Sequence, residues 1–103
     1  MGAAMPKAYL LAELEITDPA LFEEYRAKVP ATIAKYGGRY LVRGGDPQSL
    51  EGDRPLRRCV ILEFDSPARL AEWYHSSDYA PLKDLRQKSA RTHLFLLNGV
   101  EAP

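Results

Sequence analysis

An internal repeat restricts the fold more than any other feature of the chain. The stretch from Glu15 to Tyr25 lies over that from Glu63 to Trp73, so that Glu15 falls on Glu63, Pro19 on Pro67, Ala20 on Ala68 and Glu24 on Glu72. Phe22 then falls on Leu70, and Tyr25 on Trp73. Each copy contains the end of a strand-like run, a small polar residue, a proline, and apolar residues at helical spacing. A polar side chain followed by proline starts a helix, because the side chain accepts orphan N–H groups and the ring presets the first helical φ. One strand–helix unit used twice follows.

The remaining elements can be placed around that repeat. From Ala8 to Ile16 the even positions are all apolar, while the odd ones are Tyr9, Leu11, Glu13 and Glu15, the period of a strand with one buried face. Asp18 and Pro19 open a helix whose apolar stripe is Phe22, Tyr25, Val29, Ile33 and Tyr36. Pro30 removes a donor and crowds the carbonyl of Arg26, which predicts a kink; Gly37 and Gly38 suit the left-handed end of the helix. Arg39 to Arg43 is a short second strand, and Gly44 to Leu56 a polar, exposed connection. The third strand, Arg57 to Phe64, alternates Val60, Leu62 and Phe64 with Cys59, Ile61 and Glu63. Ser66 and Pro67 start a second helix through Leu70, Trp73 and Tyr74, and Asp78 is placed to cap a further turn through Leu82, Leu85 and Arg86. Thr92 to Leu97 is the last strand.

The order strand, helix, strand, strand, helix, strand predicts an α+β fold, a ferredoxin-like βαββαβ domain with an antiparallel sheet, over residues 8–100. Residues 1–7 read as a flexible leader, with Met5 an alternative start, and residues 101–103 as a tail. Strands one and three are expected as parallel neighbours at the centre, with both helices on one face. The other face offers Tyr9, Leu11, Cys59, Ile61, Phe95 and Leu97, an apolar patch that an identical sheet from a second subunit would cover by two-fold symmetry. A homodimer is therefore expected.

Composition narrows the partners. At 103 residues and 46% apolar, the chain suits one small domain whose burial is marginal without a second subunit. Fourteen basic and fourteen acidic side chains cancel, so no net field draws the protein to nucleic acid or an anionic membrane. A single Cys59 excludes an intrachain disulfide, and no apolar run approaches the roughly 20 residues of a membrane span. The start lacks the basic and apolar parts of a secretory signal, which predicts a cytoplasmic protein.

Taken together, Tyr25, Val29, Pro30, the run from Tyr36 to Gly45, Leu50-Glu51-Gly52, Glu63, Phe64, Trp73, Tyr74, Tyr79 and Arg86 resemble the dimeric α+β barrel superfamily. Within it they are similar to the family known as domain of unknown function 1330. The resemblance covers Ala8 to about Val100 and implies a ferredoxin-like homodimer whose two sheets form a barrel. It implies no reaction. Relatives in the superfamily include cofactor-independent monooxygenases, lactone isomerases, haem-handling proteins and ligand-binding regulatory domains. His75 and Ser77 stand where the family pattern has an acidic residue and proline.

No nucleophile, base and orienter can be named as a unit, and whether the protein is an enzyme stays open. Glu15 and Glu63, equivalent in the repeat, either share a site between neighbouring strands, one held protonated, or form a solvated rim. Cys59 and His93 lie on strands separated by the first strand, which argues against a thiolate pair and for a packing role of Cys59. His75 and His93 share no ligand spacing, so no metal and no cofactor are expected. Arg39, Arg43, Arg54, Arg57 and Arg58 form either a solvated hairpin or an anion site. The residues favoured for binding a small organic ligand, anionic or aromatic, in a cleft between sheet and helices are Arg39, Tyr74, Tyr79 and Arg86. The alternative is a non-catalytic dimeric module in which these aromatics only pack.

Overall fold

The computed structural model describes residues 6–100; most of the expected leader and all of the expected tail lie outside the described residues. The elements are β1 (Ala8–Ile16), α1 (Pro19–Lys35), β2 (Arg39–Gly44), β3 (Arg58–Phe64), α2 (Pro67–Tyr74), α3 (Ala80–Ser89) and β4 (Ala90–Asn98). They form one four-stranded sheet of order β2-β3-β1-β4 in which every neighbouring pair is antiparallel. The α+β architecture is the one expected, but strands one and three are not parallel: Ala8 faces Phe64 and Leu14 faces Arg58. The reason is the connection between β2 and β3. The α1 crossover returns β2 parallel to β1, and β3, folding back from β2, enters between them in the opposite sense.

Both halves of the repeat open as their sequences require. Asp18 accepts from the Leu21 N–H at 3.1 Å, and Ser66 from the Arg69 N–H at 3.1 Å, each followed by a proline in the first turn. α1 closes through Gly37, with φ of 78°. The Gly38 N–H reaches the Ile33 carbonyl at 2.9 Å and the Gly37 N–H that of Ala34 at 3.0 Å, the bond pair of a left-handed helix end. Pro30 sits inside α1 without ending it. The Arg26 carbonyl, which loses its N–H partner to Pro30, instead accepts from the Arg43 guanidinium of β2 at 3.0 Å.

The start of α3 departs from expectation. Asp78 does not cap it; its carboxylate turns to α1, accepting from Lys35 at 2.9 Å and the Tyr36 hydroxyl at 3.0 Å. Tyr79 occupies the cap position without a side-chain bond. Two distant donors outweigh one local cap. α3 also runs on to Ser89 and leads directly into β4 at Ala90, so the last strand begins before Thr92.

Ala8 and Leu10 of β1 and Leu62 and Phe64 of β3 pack against Val29, Ile33, Leu70, Trp73 and Leu82 from the helices and Tyr79 at the start of α3. A second cluster joins Ala12 and Leu14 to Phe22 and Ala90. The opposite sheet face has no helix on it among the described residues, and Phe95 and Leu97 there are 49% and 48% exposed. The exposed loop of residues 45–57 reaches this open face, where Arg54 ion-pairs with Glu13 beside a groove of about 400 Å³.

Candidate site in the sheet–helix cleft

A cavity of about 40 Å³ lies between the closed face of the sheet and α1. It exists because of Ala12. That residue pairs with Val60 on one side and Leu94 on the other, and its single methyl leaves the sheet low between two larger neighbours. Phe22, Tyr25 and Val29 of α1 line the cavity from above, and Trp73 and Tyr79 from the α2 and α3 side.

One wall is a buried polar chain. Arg86, 3% exposed, donates from Nε to the Tyr79 hydroxyl at 3.1 Å and from Nη1 to the Thr92 hydroxyl. The Tyr79 hydroxyl lies 3.0 Å from that of Tyr25. Two of the five N–H groups of Arg86 are thus engaged, both by neutral oxygens, and no carboxylate pairs with it among the described residues. Arg26, Arg43 and Arg58 complete the lining, which contains no acidic residue. The Arg58 Nε is buried without a hydrogen-bond partner, and its guanidinium lies 6.0 Å from the centroid of the Phe22 ring. Burial, reinforced by the neighbouring Tyr79, pushes the Tyr25 hydroxyl far above the ordinary tyrosine range, against a smaller pull from Arg86. The Tyr25 hydroxyl therefore stays neutral and does not act as a base.

Of the residues favoured by sequence, Tyr79 and Arg86 meet in this wall. Tyr74 stands behind, its ring 5.9 Å from that of Tyr79 and covered by the Lys83 ammonium at 3.9 Å, outside the cavity lining. Arg39 is not brought to the cleft: it projects from the open face and ion-pairs with Glu63. A β-bulge between Tyr40 and Val42 splits the arginine group, setting Arg43 opposite Val60 on the closed face although Arg39, four residues earlier, stands opposite Glu63 on the open one. Arg43 and Arg58 reach the cavity, Arg54 binds Glu13, and Arg57 is exposed. Tyr25 and Thr92 were not singled out as ligand residues, although the repeat places Tyr25 on Trp73, which shares the same cavity.

The carboxylate pair does not form. Antiparallel register sets Glu63 opposite Tyr9 and Glu15 opposite Arg91, at different ends of the sheet. Glu63 is the reverse of a retained acid, since a hydrogen bond from Tyr9 and the Arg39 guanidinium hold its carboxyl below the usual range. Cys59 faces Glu13, which faces His93, so the first strand does separate cysteine from histidine. Among the described residues no three His, Cys, Asp or Glu side chains converge as metal ligands, and no helix is long and apolar enough to cross a membrane.

Comparison with known proteins agrees with this fold. No functionally curated protein matches the chain. The RPA0582 protein of Rhodopseudomonas palustris, of unknown function, is similar at a TM-score of 0.76 with 16% identity, covering 98% of this chain and 88% of that one. SnoaB, a cofactor-independent oxygenase from Streptomyces nogalater, is similar at a TM-score of 0.63 with 12% identity, over 94% of this chain and 96% of that one. A conserved protein from Methanosarcina mazei Go1 gives 0.62 with 16% identity, over 94% and 96%. At such identities the likeness is one of fold alone. The family described as domain of unknown function (DUF1330) matches residues 7–100, and with nearly the whole chain accounted for, this protein belongs to it.

Proposed function

We propose that this protein is a homodimer that binds a small organic ligand in the cleft between its sheet and helices. The observation carrying the ligand reading is Arg86, a charge taken out of water and met only by hydroxyl oxygens. Desolvating an unpaired charge costs several kcal/mol, and a chain that only needed packing at this position would do better with an apolar side chain. Tyr79 and Arg86 are the ligand contacts retained from the sequence, with Tyr25 added. Arg39 and Tyr74 act at most through the dimer surface and the packing of Tyr79.

The dimer reading rests on the open sheet face, where Phe95 and Leu97 stay half exposed beside Leu11 and Ile61. An apolar sheet face of this kind marks an interface. Light scattering at micromolar concentration should give twice the monomer mass, and Phe95→Lys should halve it; a monomeric wild type would end this part of the proposal. Likeness to SnoaB suggests that chemistry on a bound ligand without a cofactor is within the reach of this fold. Tyr25 would serve there as a neutral hydrogen-bonding hydroxyl.

Cavity filling tests the cleft. Ala12→Leu should occupy the floor, so that compounds raising the melting temperature of the wild type no longer do so, each protein being compared with its own ligand-free baseline. Equal stabilisation of both proteins would move the site to the groove beside Glu13 and Arg54 on the open face. The absence of any stabilising compound would favour the non-catalytic module.

A further inference from the structure

Resting on the cleft reading, we infer that the ligand is a small organic monoanion, a carboxylic acid whose head is held by Arg86 and Tyr25 and whose body is apolar. The first argument is a count of donors and acceptors. Arg86 Nε donates to the Tyr79 hydroxyl, and the Tyr79 and Tyr25 hydroxyls share one hydrogen bond at 3.0 Å in which either can be the donor. Two O–H groups with one bond between them leave one O–H free to donate. The unengaged groups at the cavity are then one O–H of the Tyr25–Tyr79 pair, the remaining N–H groups of Arg86 and the buried Arg58 Nε. All are donors. A ligand that satisfies them must supply acceptors, and a carboxylate supplies about four lone-pair sites on two oxygens with a geometry matching the guanidinium fork.

Charge gives the same answer independently. Four arginines and no acidic side chain line the cavity. Arg26 has Glu23 at 3.4 Å outside it, and Arg43 is turned onto the Arg26 carbonyl and the Tyr40 ring. Arg86 is the deep one, at 3% exposure, and a single deep cation calls for a single negative charge. A cationic ligand is excluded by the same field, and a neutral one would leave Arg86 uncompensated.

Size fixes the orientation. A cavity of about 40 Å³ accepts a head group, whereas pockets that enclose whole drug-sized ligands measure about 300–1,000 Å³. The body must therefore extend where the wall can yield. Arg58 is that place, because it is only half buried and rests on Phe22 and Gly44 with no hydrogen bond at Nε. Head-in binding swings Arg58 outward and leaves the apolar body between α1 and the sheet.

The chain's only tryptophan, Trp73, lines the cavity at 1% exposure and reports binding directly. Acetate, butyrate and benzoate should be titrated against acetamide, butyramide and benzamide, following Trp73 fluorescence and melting temperature. The carboxylates are expected to bind at least tenfold more tightly than their amides, with butyrate and benzoate ahead of acetate. Tyr25→Phe should weaken carboxylate binding severalfold and amide binding less, because a neutral carbonyl accepts a weaker bond, and Arg86→Lys should weaken carboxylate binding about tenfold if that variant folds. Amides binding as tightly as acids would overturn the monoanion while leaving the cleft in place. Neither series acting at tens of millimolar would overturn the cleft reading as well.

Discussion

Replacing Tyr79 by Phe isolates the one atom on which the buried polar chain turns. Its hydroxyl meets both Arg86, at 3.1 Å, and Tyr25, at 3.0 Å, while its ring, 4.1 Å from that of Trp73, is kept by the substitution. Losing a bond to a charged donor costs about 1.5–3 kcal/mol and losing a neutral one about 0.5–1.5 kcal/mol. The expected destabilisation is therefore about 2–4.5 kcal/mol, or roughly 8–36 °C in melting temperature at about 4–8 °C per kcal/mol for a domain near 100 residues. Tyr25→Phe breaks only the neutral bond and should cost about 0.5–1.5 kcal/mol. Because the two share that bond, the double variant should fall short of the sum by a similar amount. Urea unfolding followed through Trp73 measures all three. If Tyr79→Phe proves as mild as Tyr25→Phe, the Tyr79 hydroxyl does not stabilise Arg86, and the account of the cleft wall fails.

Gly38→Ala should be destabilising by about 1–3 kcal/mol, since a Cβ there would come within 2.6 Å of the fully buried Phe64 ring and 2.8 Å of Ile33; thermal melts check it. Arg43→Ala should cost about 0.5–1.5 kcal/mol in the wild type and less beside Pro30→Ala, which returns an N–H to the Arg26 carbonyl, as a double-mutant cycle would register. Glu63 is held below its ordinary value by Tyr9 and Arg39, and Asp78 below its own by Lys35 and Tyr36. Their contributions are present above the unfolded values near about 4 and are lost as the pH falls through the lowered folded ones. Glu63→Gln with Asp78→Asn should flatten the acid limb of stability against pH, and an unchanged limb would mean that neither pair matters.

The repeat made the element order and the paired helix starts legible, because proline after a polar cap acts locally and the same way in both copies. Strand direction was not legible from the repeat: equivalence of Glu15 and Glu63 in sequence says nothing of how a hairpin inserts β3. Tyr79 and Arg86 could be paired from their helical spacing, yet the resulting contact crosses the end of α3, where Tyr79 stands in place of the expected cap. Asp78 was misplaced because its partners, Lys35 and Tyr36, are distant in the chain. Arg39 enters the expected site by residue type alone, whereas its pairing opposite Glu63, on the far side of the bulge from Arg43, decides its face. Tyr25 was readable through its match to Trp73, but only once that match was taken to mean a shared cavity.

The two margins of the sheet are unequal. β2 is six residues long, irregular between Tyr40 and Val42 and flanked by Arg39 and Arg43, features that discourage a further strand from adding. β4 spans nine residues in unbroken register with β1, and it carries Phe95, Leu96 and Leu97 in succession, each more than two-fifths exposed. Self-templated growth should therefore proceed in one direction only, from β4. Concentrated protein should aggregate by docking strands there, and Leu96→Lys, on the helix side of the sheet, should suppress the resulting turbidity without touching the face that carries Leu11 and Ile61.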